Sequence, residues 1–171
     1  MKKLILALAI AGLFASCNGT TTNNAGGADS TVTKMEKNKE TALASQNALI
    51  AKDVDAMFKD CAPGFVDYGS GEYPPANNID SIKASMKSFL AAYPDLKGDS
   101  LVALANNNTV AVTGTWSGTF TNDFMGIKAT NKKFKTPDVD IFTFNDQGQI
   151  TSHRSVQQMA TFFSQVGIKF E

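Results

Sequence analysis

Apolar and polar residues follow one rhythm in the first half of this chain and another in the second. Over residues 33–51, Met35, Ala42, Leu43, Leu49 and Ile50 fall on one helical face while Lys37, Lys39 and Glu40 fall elsewhere, which predicts an amphipathic helix. Asp53 is placed to cap a shorter helix carrying Val54, Met57 and Phe58. Gly64 follows, and residues 65–68 read as a short strand. A polar, Pro-containing loop over residues 69–77 leads to a third helix, in which Ile79, Ile82, Met86, Phe89, Leu90 and Tyr93 recur at helical spacings until Pro94 stops it.

From Leu96 onward the period becomes alternating. Strands are predicted over residues 97–105, 109–119, 134–144 and 149–157, with Asn106, Asn107 and Asn108 turning the first pair and a long loop, residues 120–133, before the third. Residues 160–165 read as a final helical turn. Helices followed by an antiparallel meander predict an α+β domain, whose one curved sheet must cover its inner face with those helices.

Residues 1–16 stand outside this pattern. Lys2 and Lys3 form a basic start, an apolar run of eleven residues follows from Leu4 to Phe14, and Ala15-Ser16 precede Cys17. The run is too short to span a bilayer as a helix. Small residues directly before a cysteine resemble the bacterial lipobox, although Phe14 stands where leucine is usual. Cleavage before Cys17 and lipidation of its thiol are expected, with an ordinary secretory signal as the alternative; either exports the chain. The expected location is the bacterial cell envelope, with the lipid anchor as the only membrane contact. Residues 18–31 are mostly Gly, Thr and Asn, without a large apolar side chain, and read as a flexible tether. Residues 32–171 then form one domain.

Removal of the leader leaves 14 basic against 16 acidic residues, a formal charge of −2. No clustered basic face points to nucleic acid, and four lysines within residues 128–135 read as a solvated face. Cys61 is the one thiol left over, so it has no internal disulfide partner; in the row D-A-M-F-K-D-C-A it reads as a small core hydrophobe. A single histidine, without a second histidine or a cysteine cluster, is a poor ligand set for a metal, and no cofactor is implied.

The most informative stretch is F-K-T-P-D-V-D-I-F-T-F-N-D-Q-G-Q-I-T-S-H-R-S-V, residues 134–156, which holds that histidine. Asn145-Asp146-Gln147-Gly148 predicts a turn between two long antiparallel strands. If a glycine bulge follows the turn, Asp140 lies opposite Arg154 while His153 and Ser155 project from the other face beside Val139 and Ile141. A one-residue slip pairs Asp140 with His153 instead, and of the two only this one sets a carboxylate against the imidazole. The first register is the expected one. It makes Asp140–Arg154 a surface cross-strand pair and leaves Asp138, after Pro137, solvated.

Four stretches in order, A-L-I-A-K-D-V-D-A-M-F, D-S-I-K-A-S-M-K-S-F-L-A-A-Y-P-D-L, G-T-W-S-G-T-F-T-N-D-F-M-G-I and V-D-I-F-T-F-N-D-Q-G-Q-I, resemble the SnoaL-like polyketide cyclase group of the nuclear-transport-factor-2-like superfamily. The resemblance covers nearly everything after Val32. It implies a cone-shaped roll, a curved sheet wrapped over about three N-terminal helices around an apolar pocket, often in a homodimer formed through the sheet. In that family an aspartate late in the last long strand exchanges a substrate proton next to a carbonyl. Here Ser155 takes its place, and Arg154 that of the tryptophan commonly before it. Histidines frequent in the first strand and in the loop after the third run fall on Tyr68 and Phe120.

Serine has no pKa near neutrality, so His153 is the remaining acid/base candidate, with Tyr68 or Ser155 to polarise a carbonyl. Trp116, among small neighbours in T-G-T-W-S-G-T, is expected to line the pocket with Phe120 and Ile141, and Phe124 and Met125 to cover its mouth. Two functions follow. The expected one is a tethered module that holds a small, largely apolar or carbonyl-containing molecule without turnover; the alternative is an isomerase, cyclase or lyase using His153. A third, an assembly domain, predicts a pocket filled by its own Trp116 and Phe120.

Overall fold

The computed structural model describes residues 25–168. Cys17 and the leader lie outside the described residues. The elements run α1 (Ala25–Ile50), α2 (Val54–Met57), β1 (Cys61–Asp67), α3 (Ile79–Ala92), β2 (Lys97–Asn106), β3 (Thr109–Thr119), β4 (Lys133–Phe144), β5 (Ile150–Gln157) and α4 (Met159–Val166). Local chemistry explains several boundaries. Asp53 caps α2 by accepting from the Ala56 N–H, and Asn78 caps α3 by accepting from the Ser81 N–H. Pro94 follows the end of α3 as predicted. Helix α1 starts well before the predicted point, inside the stretch read as a tether.

The strands form one five-stranded sheet in the order β1-β5-β4-β3-β2. The last four are the predicted antiparallel meander, but β1 lies parallel to β5, so the sheet is mixed and not wholly antiparallel. The reason is topological: α3 carries the chain from β1 at one edge to β2 at the other, leaving the free side of β5 to β1.

Helices α1 and α2 and the Tyr93 end of α3 close the inner face. Val110, Val112, Trp116, Phe134, Phe142 and Phe144 from the sheet pack with Leu49, Ile82, Leu90 and Tyr93 in one buried cluster, each large side chain contributing about 1.5–3 kcal/mol by leaving water. Trp116 fits because its partner across β2–β3 is Gly98: a Cβ there would lie 3.0 Å from the indole ring. The small neighbours noted in the sequence therefore do make room for the ring.

The β4–β5 hairpin decides the site. Asn145 Oδ1 accepts from the N–H groups of Gln147 and Gln149, and Gly148 takes φ 75°, the turn and glycine bulge expected. A second bulge follows. Thr143 pairs with Ser152 but Phe144 with Ile150, so Thr151 is the extra residue, held by hydroxyl contacts of 2.8 Å to Thr143 Oγ1 and 3.1 Å to the Thr143 carbonyl. This moves the ladder to a register that neither expectation contained: Asp140 opposite Ser155, Ile141 opposite Arg154, Phe142 opposite His153. The Asp140–Arg154 pairing is thereby overturned. Asp138 and Asp140 are buried on the inner face with His153 and Ser155, while Val139 and Ile141 point outward.

Candidate functional site

Between the sheet and α1, α3 and α4 lies a cavity of about 400 Å³. Its walls are largely apolar, with Leu49, Met86, Phe89, Trp116, Phe134 and Phe162 among them. Ala76, Ser81 and Ser85 are exposed lining residues and mark the mouth. Apart from Gln46 on α1 and the serines near the mouth, the polar residues collect on β1, β4 and β5, and the charged ones form two groups.

In the first, His153 Nδ1 lies 3.0 Å from Asp67 Oδ1 and Nε2 lies 2.9 Å from Asp140 Oδ1. Parallel pairing of β1 with β5 brings Asp67 level with His153, and the second bulge brings Asp140 to its other side. A carboxylate can only accept, so both ring nitrogens donate and the ring is an imidazolium. Burial alone would lower its pKa, but the hydrogen bonds and charges of Asp140 and Asp67 outweigh that and push it up to about 10. For Asp67, burial acts upward, and the His153 bond and charge with the Gly69 N–H bring it below its ordinary value.

In the second group, Asp138 forms no ion pair among the described residues. Ser155 Oγ donates to its carboxyl at 2.9 and 3.0 Å and the Val139 N–H donates at 2.7 Å. Burial first, and then the charge of Asp140, raises the Asp138 pKa to about 6 in spite of these bonds. The cavity thus holds one carboxyl able to take and return a proton near neutrality, beside one fixed cation.

The residues singled out from sequence divide. Trp116, His153 and Ser155 line the cavity, as does Phe124, which packs edge-on against Phe89. Tyr68 does not: alternation along β1 sends Asp67 inward, and the Tyr68 ring lies under the Arg154 guanidinium at 4.8 Å, so it is not placed to polarise a substrate carbonyl. Phe120 is core, stacked on Tyr93 at 5.3 Å and 1% exposed. Ile141 is on the outer face because of the register, and Met125 is exposed, not closed over the mouth. The open cavity argues against a pocket filled by Trp116 and Phe120. Cys61 is partly buried, and burial with the charges of Asp60 and Asp67 raises its thiol to about 12, which keeps it from acting as a nucleophile.

Sequence reasoning missed Asp67 and took Asp138 for a solvated residue. The available signal was the pair of acids in an otherwise apolar strand, T-P-D-V-D-I-F; it could not be used without knowing of the bulge at Thr151.

A model of the SnoaL-like polyketide cyclase family matches residues 39–166. Among solved structures, AclR from Streptomyces galilaeus, a candidate hydroxylase, is 26% identical with a TM-score of 0.66, covering 78% of this chain and 97% of its own. A candidate SnoaL-like polyketide cyclase from Jannaschia sp. CCS1 is 18% identical with a TM-score of 0.70, covering 80% of this chain and 95% of its own. IdmH from Streptomyces antibioticus, a candidate polyketide cyclase, is 21% identical with a TM-score of 0.63, covering 77% and 99%. No curated protein matches the sequence.

Proposed function

Since the chain belongs to the SnoaL-like polyketide cyclase family, we propose that it catalyses proton transfer next to a carbonyl in a small, largely apolar molecule, with Asp138 as the acid/base. The observation that carries this is the Asp138 carboxyl in an apolar cavity wall, raised to about 6 and held by Ser155. Ser155 stands where the family resemblance places an aspartate; Asp138, directly bonded to it from the neighbouring strand, supplies the ionisable group that serine lacks. At neutral pH Asp138 is mostly a carboxylate whose pKa lies close to the working pH, the condition for an efficient base.

In the proposed step, Asp138 removes a proton from the carbon next to the carbonyl, leaving an enolate and a neutral carboxyl. Return of that proton to another carbon isomerises the molecule. Attack of the enolate carbon on a second carbonyl instead closes a ring, and the Asp138 proton passes to the new alkoxide. The His153 imidazolium favours the negative charge that develops. It is not the base in this scheme, because its proton is held by Asp67 and Asp140.

Deuterium wash-in from heavy water, followed by NMR on a panel of cyclic enones and aromatic polyketide analogues, tests this. Wild-type protein should exchange the proton next to the carbonyl of at least one compound, with a rate that rises through about pH 6. Asp138→Asn should slow that exchange by roughly 10²–10⁴-fold. Absence of exchange on every compound, or exchange indifferent to Asp138→Asn, would sink the proposal. The second reading, a module that holds such a molecule without turnover, is favoured by Ser155 itself, and would show binding with no exchange.

Export and assembly belong to the same proposal. The leader and Cys17 support an envelope lipoprotein, and the exposed outer-face residues Val102, Leu104 and Val156 support a homodimer through the sheet. Intact mass at Cys17 and light scattering of protein recovered from the envelope check the two.

A further inference from the structure

Helix α1 turns an unusual face inward. Where apolar residues would close the core, Asn38, Ser45 and Gln46 are buried beside Ala42 and Leu49. Ser45 is satisfied, donating to the Met57 carbonyl at 2.9 Å. Asn38 sits under the hairpin turn, within 3.8 Å of the position a Gly148 Cβ would take, and is not part of the cavity wall. Asn38, just as buried, also leaves its Nδ2 and Oδ1 without hydrogen-bond partners among the described residues, so Gln46 differs from it by position. It lines the cavity, it is 1% exposed, and its Oε1 has no hydrogen-bond partner among the described residues.

Native structures rarely leave a buried amide oxygen without a donor. Most donors of the inner wall are already engaged: both His153 nitrogens on Asp67 and Asp140, Ser155 Oγ on Asp138, and Gln157 Nε2 on Thr136 Oγ1, leaving the Trp116 indole N–H without a partner among the described residues. Apart from that indole N–H, the wall presents acceptors to whatever occupies the cavity. Its charge points the same way, since Asp67, Asp138 and Asp140 face a single imidazolium and a ligand carboxylate would be repelled.

We propose that Gln46 reads the bound molecule, its carboxamide oxygen accepting a hydrogen bond from an O–H or N–H group on it. The inference rests on the cavity being a small-molecule site, as proposed above, but not on turnover. The ligand then carries two features: a carbonyl-bearing part at Asp138 and a donor at α1. Gln46 contributes specificity, not chemistry.

Calorimetry on the full-length chain in mild detergent tests it, with three two-ring probes that fit the cavity: naphthalenemethanol, its methyl ether, and naphthylmethylammonium. The alcohol should bind about tenfold more tightly than the ether, the worth of one hydrogen bond, while the ammonium also reads the charge of the wall. Gln46→Met, an apolar side chain of similar length, should bring that gap to within about twofold, while Gln46→Glu, which keeps an acceptor oxygen, should preserve it. Equal binding of the alcohol and the ether by wild type, or an alcohol–ether gap unchanged in Gln46→Met, would overturn the role of Gln46 alone. Failure of all three probes to bind would count against the cavity as a ligand site, and so against both proposals.

Discussion

Two rungs of the same hairpin, two residues apart along β4, carry the same side chain in opposite circumstances. Asp140 meets the His153 imidazolium at 2.9 Å, and Asp67 closes the other side of that ring at 3.0 Å. Asp138, on the same face and equally buried, meets among the described residues a hydroxyl and one backbone N–H. The first arrangement is compensated, since a cation is locked between two carboxylates and the ring is held protonated through neutral pH. The second is uncompensated, which leaves its proton mobile. Within one apolar wall, the partner and not the depth decides whether an aspartate is structural or chemical.

The largest effect expected from breaking that contrast is on the compensated rung. His153→Leu would leave Asp67 and Asp140 facing each other without a cation and should destabilise the fold by roughly 3–5 kcal/mol, read by chemical denaturation. The pH dependence follows from the shifts. His153 is raised from 6.5 to about 10, so its contribution is complete below about pH 6.5 and is lost as the pH rises through about 10. Asp67 is lowered, so its contribution is present above its ordinary value of 3.8 and is lost as the pH falls through the lowered one. The penalty of His153→Leu should therefore be greatest between about pH 4 and 6.5. A penalty that is flat with pH would mean the ring is neutral and only packed.

A smaller effect, of opposite sign, is expected at the uncompensated rung. Asp138 is raised from 3.8 to about 6, so its favourable contribution is complete below 3.8 and is lost as the pH rises through about 6. Asp138→Asn should consequently stabilise the protein above pH 7, by on the order of 1–3 kcal/mol, and do nothing near pH 4. Stability gained with activity lost marks a functional residue; a loss of stability at pH 7 would place Asp138 among the structural ones.

The smallest effect concerns the hydroxyl. Ser155→Ala removes the bond that holds the Asp138 pKa down, so the midpoint of the exchange profile should move upward, with a stability change of about 1 kcal/mol. An unmoved midpoint would show that Ser155 only fills space.

Much of the fold was legible because it follows from periodicity. The Asp53 cap, the stop at Pro94, the residues 109–119 strand and the turn at Gly148 are local consequences of local sequence. The site was not, because it depends on one extra residue. Thr151 is a polar, β-branched residue in a polar β-rich run, and nothing in T-S-H-R-S says that it bulges. That single insertion moves Asp138 and Asp140 from the face opposite His153 to the same face. Asp67 was hidden for a different reason: its place beside His153 comes from parallel pairing of strands far apart in sequence, which no local pattern encodes. Tyr68 and Phe120 were named through family positions, and the structure gives those positions to a surface cation–π contact and to the core.

One titration bears on the central contrast directly: carbon-13 NMR of the aspartate carboxyl groups, together with the His153 ring, followed from acid to alkaline pH. The account predicts that Asp138 titrates with a midpoint near 6 while His153 stays an imidazolium through neutrality, losing its proton only towards about 10. Asp138 titrating near the ordinary 3.8 with His153 deprotonating near 6.5 would contradict it, and would return the proton-transfer role to the histidine.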